Sequence, residues 1–276
     1  MMINVGIRIG GLRISGFDAD AAAYFQRAGV TDATAKGQIN AFVKGMKDLG
    51  LYNSMVCYPL RSAQNSPSGN TIYSLGGLGI FNGTLVNSPT RASDFMVFSN
   101  ITKSMDISGL TGLTTTMFLM TVARYGYTFN GTLGIDINST ALFGGQPTNY
   151  MHTVTDATGV ISSGMRTDMS AGFSAWANLA TSVADDDIGT LFIGYNGTNQ
   201  LFRWNNTTQS RVIGTTVGIG TIAKLNIRSD GFGSGGQGGL SDYAFTMMCN
   251  GGVSDANFQS IRTLYKNTLG DGLGLP

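Results

Sequence analysis

The sequence holds no glutamate: all sixteen acidic residues among its 276 are aspartate. It holds one histidine, His152, two cysteines, Cys57 and Cys249, and five prolines. Charged residues make up only 12%, about half the usual share. Each scarcity excludes something. Without glutamate, a paired-glutamate site for sugar hydrolysis does not exist. Two aspartates would have to replace it, and no single strand offers Asp at i and i+2 or i+4 on one face. A Ser-His-Asp site would rest on His152 and Asp156 in "NYMHTVTD", with no nucleophile elbow to go with them. A strand histidine satisfied locally is the favoured reading of His152. One histidine and two distant cysteines lack any zinc-ligand spacing.

Two cysteines so far apart make no disulfide framework and read as reduced core residues of a protein made in a cytoplasm. Sequons such as "NGT" at Asn82, Asn130 and Asn196 then follow from turn composition. The most apolar run, "LTTTMFLMTVA" (113–123), is too short to span a bilayer. Arg8 and Arg13 interrupt the place where a signal peptide would need its apolar core. A net charge of +1 gives no field that would gather nucleic acid or an anionic membrane. No nucleic-acid partner and no membrane insertion are expected.

What is present is glycine, 40 residues of it, and a hydrophobic share of 42%. That composition suits many short strands joined by tight turns around a real core. Residues 3–14 alternate Ile3, Val5, Ile7 and Ile9 against polar and glycine positions, which predicts a strand with one apolar face. Either it is an edge strand of the main sheet, or it is an arm that pairs with a neighbour. Two helices are expected next. Residues 17–29 end on Gly29; residues 31–50 start at Thr31 as N-cap and stop at Gly50. Ile39, Phe42, Val43, Met46 and Leu49 share one face of the second. Residues 51–62 read as a buried extended segment.

From 69 to 248 the pattern is β almost throughout, punctuated by NG, GG, SG and DG. No βαβ alternation occurs, so the block implies a two-sheet sandwich. "GSGGQGG" (233–239) lacks the Lys-Ser/Thr of a phosphate loop and reads as a flexible connection. The chain then closes on a strand, a glycine break and a helix. Ser254 is its N-cap; Phe258, Ile261, Leu264 and Tyr265 are its apolar stripe. The expectation is that this helix lies across an open end or edge of the sandwich. The parts are an arm (1–17), a helical lead-in (18–62) and a sandwich with its closing helix (63–276).

These residues also resemble a known family. "GLSDYAFTMMCNGGVSDANFQSIRTLYK" is similar to the closing strand and helix of concanavalin A-like, laminin-G-like jelly rolls. "AYFQRAGVTDATAKGQINAFVKGMKDLGLYNSMVCYPL" is similar to a helical lead-in ahead of such modules in bacteriophage virion proteins. "NTIYSLGGLGIFNGTLVNSPT" is similar to the join between that lead-in and the first sandwich strand. Together they frame the chain from about Asp18 to Leu269. The resemblance implies a mainly β fold: a concanavalin A-like two-sheet jelly-roll sandwich with an N-terminal helical lead-in and a C-terminal helix. It implies a place on a virion surface, among other virion proteins.

Two constellations have binding chemistry. "ADDDIGT" sets Asp185, Asp186 and Asp187 in a loop that has the oxygens for Ca²⁺, although a solvated turn is the stronger reading. No other cofactor is implied. "FIGYNGTNQLFRWNNTTQSR" places Tyr195, Asn196, Arg203, Trp204 and Asn205 around a hairpin. Aromatic faces beside amides are what sugar rings need, against the alternative that Tyr195 and Trp204 are core.

The expected function is a virion structural protein that is not an enzyme. It would be a homo-oligomeric head decoration or short appendage, attached through Ile3, Val5, Ile7 and Ile9. The alternatives are a tail module binding a host receptor or surface glycan, and a polysaccharide depolymerase.

Overall fold

The computed structural model describes residues 16–98, 103–114, 116–124, 135–143, 146–155, 160–165, 175–182, 186–212, 222–227 and 242–276. The chain begins with α1 (Ala19–Ala28) and α2 (Ala33–Asp48). Asp18 caps α1 by accepting from the Asp20 amide. Asp32, one residue beyond the expected Thr31, caps α2 by accepting from the Ala35 amide. Both residues satisfy amides that a helix start leaves open. Gly29 and Gly50 take the left-handed conformation that ends each helix.

The strands follow: β1 (Met55–Pro59), β2 (Thr71–Ile72), β3 (Gly83–Val86), β4 (Thr90–Arg91), β5 (Met96–Val97), β6 (Ser104–Leu110), β7 (Met117–Arg124) and β8 (Ile135–Phe143). Then come β9 (Gln146–Thr155), β10 (Val160–Met165), β11 (Ala175–Ser182), β12 (Ile188–Tyr195), β13 (Asn199–Trp204), β14 (Thr207–Val212), β15 (Ile222–Ile227) and β16 (Asp242–Asn250). The helix α3 (Asp255–Lys266) closes the chain, capped by Ser254 as the sequence implies.

The strands make two antiparallel sheets. The first runs β14-β13-β12-β7-β16-β5-β4, with β1 also paired to β16. The second runs β11-β10-β9-β8-β15-β6-β3-β2. The class is therefore the expected one: a mainly β, two-sheet jelly-roll sandwich with N-terminal helices and a closing helix.

Between the sheets lie Leu85, Met105 and Ile107 from the second, and Leu119, Ile193, Phe202, Trp204 and Met248 from the first. The first sheet is buried on its other face as well. There Phe118, Met120, Phe192, Phe245 and Met247 meet Tyr24, Phe42, Met46, Phe258, Ile261 and Tyr265 of the three helices. Burial on both faces explains why β7 reads as a nearly continuous apolar run, interrupted only by Thr121 before Arg124, rather than an alternation.

This placement corrects two expectations. The closing helix does not lie across an end or edge; with α1 and α2 it forms a third layer on the first sheet. A boundary at residue 63 would also cut off β1, which pairs with β16 from Met55↔Cys249 to Pro59↔Phe245. The helices and the sheet share one core, so residues 18–62 are not an appended unit.

The layer is closely fitted. Phe258 stacks on Phe192 at 4.6 Å and meets Phe118 edge-on at 5.3 Å. It approaches because residue 194 is glycine: a Cβ there would come within 2.9 Å of the Phe118 Cβ and 2.7 Å of a Val253 methyl. Cys57 and Cys249 face this layer as free, fully buried thiols. Burial pushes the Cys249 thiol up to about 12.

Candidate functional site

The hairpins β12-β13-β14 carry the residues expected to meet a sugar, and the structure divides them. Tyr195 and Asn196 stand at one end of β13; Trp204 and Asn205 stand at the other. Six residues of strand separate the ends by about 17 Å. Tyr195 is 3% exposed and Trp204 5%, both inside the core between the sheets. Trp204 fills the space above Gly189, where a Cβ would sit 2.3 Å from its ring. Asn196 organises its own turn, accepting from the Thr198 and Asn199 amides at 3.0 and 2.8 Å. Asn205, at φ +48°, accepts from the Thr190 amide at 2.9 Å. The five residues do not form one surface, and the aromatic pair is core.

Arg203 lies on the opposite face of β13 from Trp204, buried beneath α3. Its Nε donates to the Asn205 carbonyl at 2.6 Å and its Nη1 to Thr208 Oγ1 at 2.8 Å. The same Nη1 pairs with Asp255 in the first turn of α3. Beside it, Arg262 Nε donates to Thr190 Oγ1 at 3.1 Å and its Nη2 to the Pro276 carbonyl. The guanidinium groups thus clamp helix to sheet. Arg61, just after β1, holds Asp94 and the Leu269 and Asp271 carbonyls of the segment that follows α3.

Of the acidic loop, Asp186 is exposed at φ +68° and Asp187 is exposed. Asp185 lies outside the described residues, as do Ile3, Val5, Ile7 and Ile9. Among the described residues no three His, Cys, Asp or Glu side chains come together.

The polar surface that reading along the chain misses is on the second sheet. Directly paired residues of antiparallel strands share a face. Thr71 pairs with Thr84, Thr84 with Asp106, Asp106 with Asn226, and Asn226 with Asp136. The neighbours Leu85, Met105 and Ile107 are in the core, whereas Thr84 is exposed. Thr84 and Asp106 therefore lie on the outer face, and register sets Asn226 and Asp136 in line with them. Asp106 is half-buried and accepts from Ser104 Oγ at 3.0 Å. A second row pairs Ser108, Lys224 and Asn138 on the same face. Further across, His152 pairs with Gly164 and Gly164 with Trp176. Among the described residues, the three helices pack on the first sheet and none on this one.

The fold has counterparts among solved structures. A Trypanosoma rangeli sialidase in complex with sialic acid matches with a TM-score of 0.58 over 84% of this chain, at 7% identity. The botulinum neurotoxin serotype D binding domain matches with 0.55 over 79%, at 9% identity. The chain spans 39% of the sialidase and 52% of the toxin domain. No family model matches the sequence, and no curated protein does.

These likenesses establish the fold as a β-sandwich of the kind found in those proteins. They also overturn the expectation that the chain is not an enzyme, because sialidases, which are enzymes, carry the same fold. The missing glutamate and single histidine rule out particular arrangements of residues. They do not rule out catalysis by a sandwich of this class. Register across strands also aligns Asp106 of β6 and Asp136 of β8, one on either side of Asn226, an arrangement that no single strand displays.

Proposed function

We propose that the chain is a surface-displayed bacteriophage virion protein whose sandwich recognises a glycan. The lead-in and the closing helix support the virion setting, through their resemblance to virion modules. The observation that carries the glycan reading is the division of labour between the sheets. One sheet is covered on its outer face by three helices. On the other, strand register brings Thr84, Asp106, Asn226 and Asp136 into one row, in which Thr84 is exposed and Asp106 half-buried. Such groups hydrogen-bond sugar hydroxyls. One chain of similar fold is a sialidase bound to a sugar, and another is a toxin's binding domain, which agrees with this reading.

Attachment is assigned to residues 1–16, whose apolar alternation calls for a partner strand. The partners are neighbouring virion proteins or further copies of the chain. The test is a glycan array probed with the purified chain, with immunogold labelling of particles beside it. Binding to a defined set of glycans and gold on the particle surface are expected. An array without signal refutes recognition; gold absent from particles refutes the setting.

A further inference from the structure

We infer that Asn196 is a site of spontaneous covalent modification: the folded β12-β13 turn promotes its deamidation through a succinimide shared with Gly197, while the fold protects the other described Asn-Gly pairs. The site belongs to the first sheet and does not depend on what the sandwich binds.

Among the described residues an asparagine precedes a glycine at Asn82, Asn196 and Asn250. At such a pair the glycine amide nitrogen, on losing its proton, can attack the asparagine Cγ, because glycine has no side chain to obstruct the approach. The N–Cγ bond forms and the Cγ–Nδ2 bond breaks. Nδ2 takes up the proton and leaves as ammonia. Water then opens the cyclic imide. Addition at Cγ returns the ordinary backbone with an aspartate side chain. Addition at the main-chain carbonyl leaves isoaspartate, with the backbone running through Cγ.

The geometry selects Asn196. Its Oδ1 accepts from the Thr198 and Asn199 amides at 3.0 and 2.8 Å. Negative charge develops on that oxygen as Cγ becomes tetrahedral, and two amides already aimed at it stabilise the charge as an oxyanion hole does. Gly197 is exposed at φ +98°, with no atom within 4 Å of where a Cβ would stand. The imide has room to close there, and water has room to reach it. Among the described residues the Gly197 amide makes no backbone hydrogen bond, so the attacking nitrogen is not tied down.

The other two pairs are held. The Gly251 amide donates to the Thr116 carbonyl at 2.7 Å, and Asn250 Nδ2 donates to the Gly112 carbonyl at 2.6 Å. Attacking nitrogen and leaving group are therefore both engaged. Gly83 is buried within β3, where a Cβ would stand 2.8 Å from the Met105 sulfur. That position has no room for the ring.

The two products differ in what they do to the turn. An aspartate at 196 accepts the same two amides through a carboxylate, a stronger acceptor than an amide oxygen. It lowers the chain's formal net charge of +1 by one unit. Isoaspartate adds a methylene to the backbone and disrupts the bond from the Asn196 amide to the Asn199 carbonyl, 3.1 Å, that closes the hairpin.

The experiment holds the full chain, folded and in guanidinium chloride, at one mildly alkaline pH. Peptide mass spectrometry follows the three asparagines, and detection of isoaspartate marks passage through the imide. The unfolded chain gives each site its own reference rate, set by sequence neighbours alone. In the folded chain Asn196 should react about tenfold faster than its reference, and Asn82 and Asn250 more slowly than theirs. A folded Asn196 slower than its reference overturns the assignment. So does an Asn82 or Asn250 that reacts as fast as Asn196 in the folded chain, or a modified Asn196 that yields aspartate with no isoaspartate in the unfolded chain.

Discussion

Arg203 of β13 and Asp255 of α3 form a salt bridge between the first sheet and the helix that covers it. The arginine is 4% exposed, and Thr208 Oγ1 donates to the same aspartate oxygen at 2.6 Å. A residue that reads in sequence as a sugar ligand is thus a fastening of the fold.

Stability should depend on pH through this pair. The Thr208 hydroxyl foremost, and the Arg203 guanidinium against some burial cost, hold the Asp255 carboxyl below its ordinary range. A lowered carboxylate stabilises the fold fully above its unfolded value, near pH 3.9, and less as pH falls through the folded value. Arg203→Met should cost about 2 kcal/mol at pH 7. The gap in melting temperature from the unaltered chain should narrow between pH 5 and pH 3. A gap of constant size would show that the bridge is not what Arg203 supplies.

Gly194→Ala should loosen the helical layer. The added methyl meets Val253, Phe118 and Phe258, all within 3.2 Å, so the Phe258 ring must shift from Phe192. The expected loss is about 1 to 3 kcal/mol, as for overpacking elsewhere. Urea unfolding measures it, and an unchanged midpoint would mean the layer yields freely.

Trp204 should behave as core in solution. In a Trp176→Phe chain its fluorescence should be blue-shifted and shielded from acrylamide. Trp204→Ala should cost about 3 to 5 kcal/mol. A readily quenched Trp204 would return it to the surface and revive the hairpin as a sugar site.

Removing residues 2–16 should leave folding intact, because the two cores are built from residue 21 onward. On the proposal made for the arm, the shortened chain should no longer join particles. Normal occupancy would place attachment elsewhere.

The sequence by itself determined the local elements. Ser254 announces the start of α3, and Gly29 and Gly50 the ends of α1 and α2, because caps and left-handed turns depend on the residues beside them. The alternation and turn punctuation also determined the class, since a block of short strands without helical crossovers closes into a sandwich. Which surfaces those strands present was decided by tertiary structure. Tyr195 and Trp204 became core because the inter-sheet side of β12 and β13 carries both, with Gly189 leaving room for the indole. The row from Asp106 to Asp136 exists only through pairing, for its members come from β6, β15 and β8, with Asn226 of β15 seated between two aspartates that precede it in the chain. No spacing within one strand encodes that alignment, because register across a sheet is set by how distant segments bury their apolar faces together.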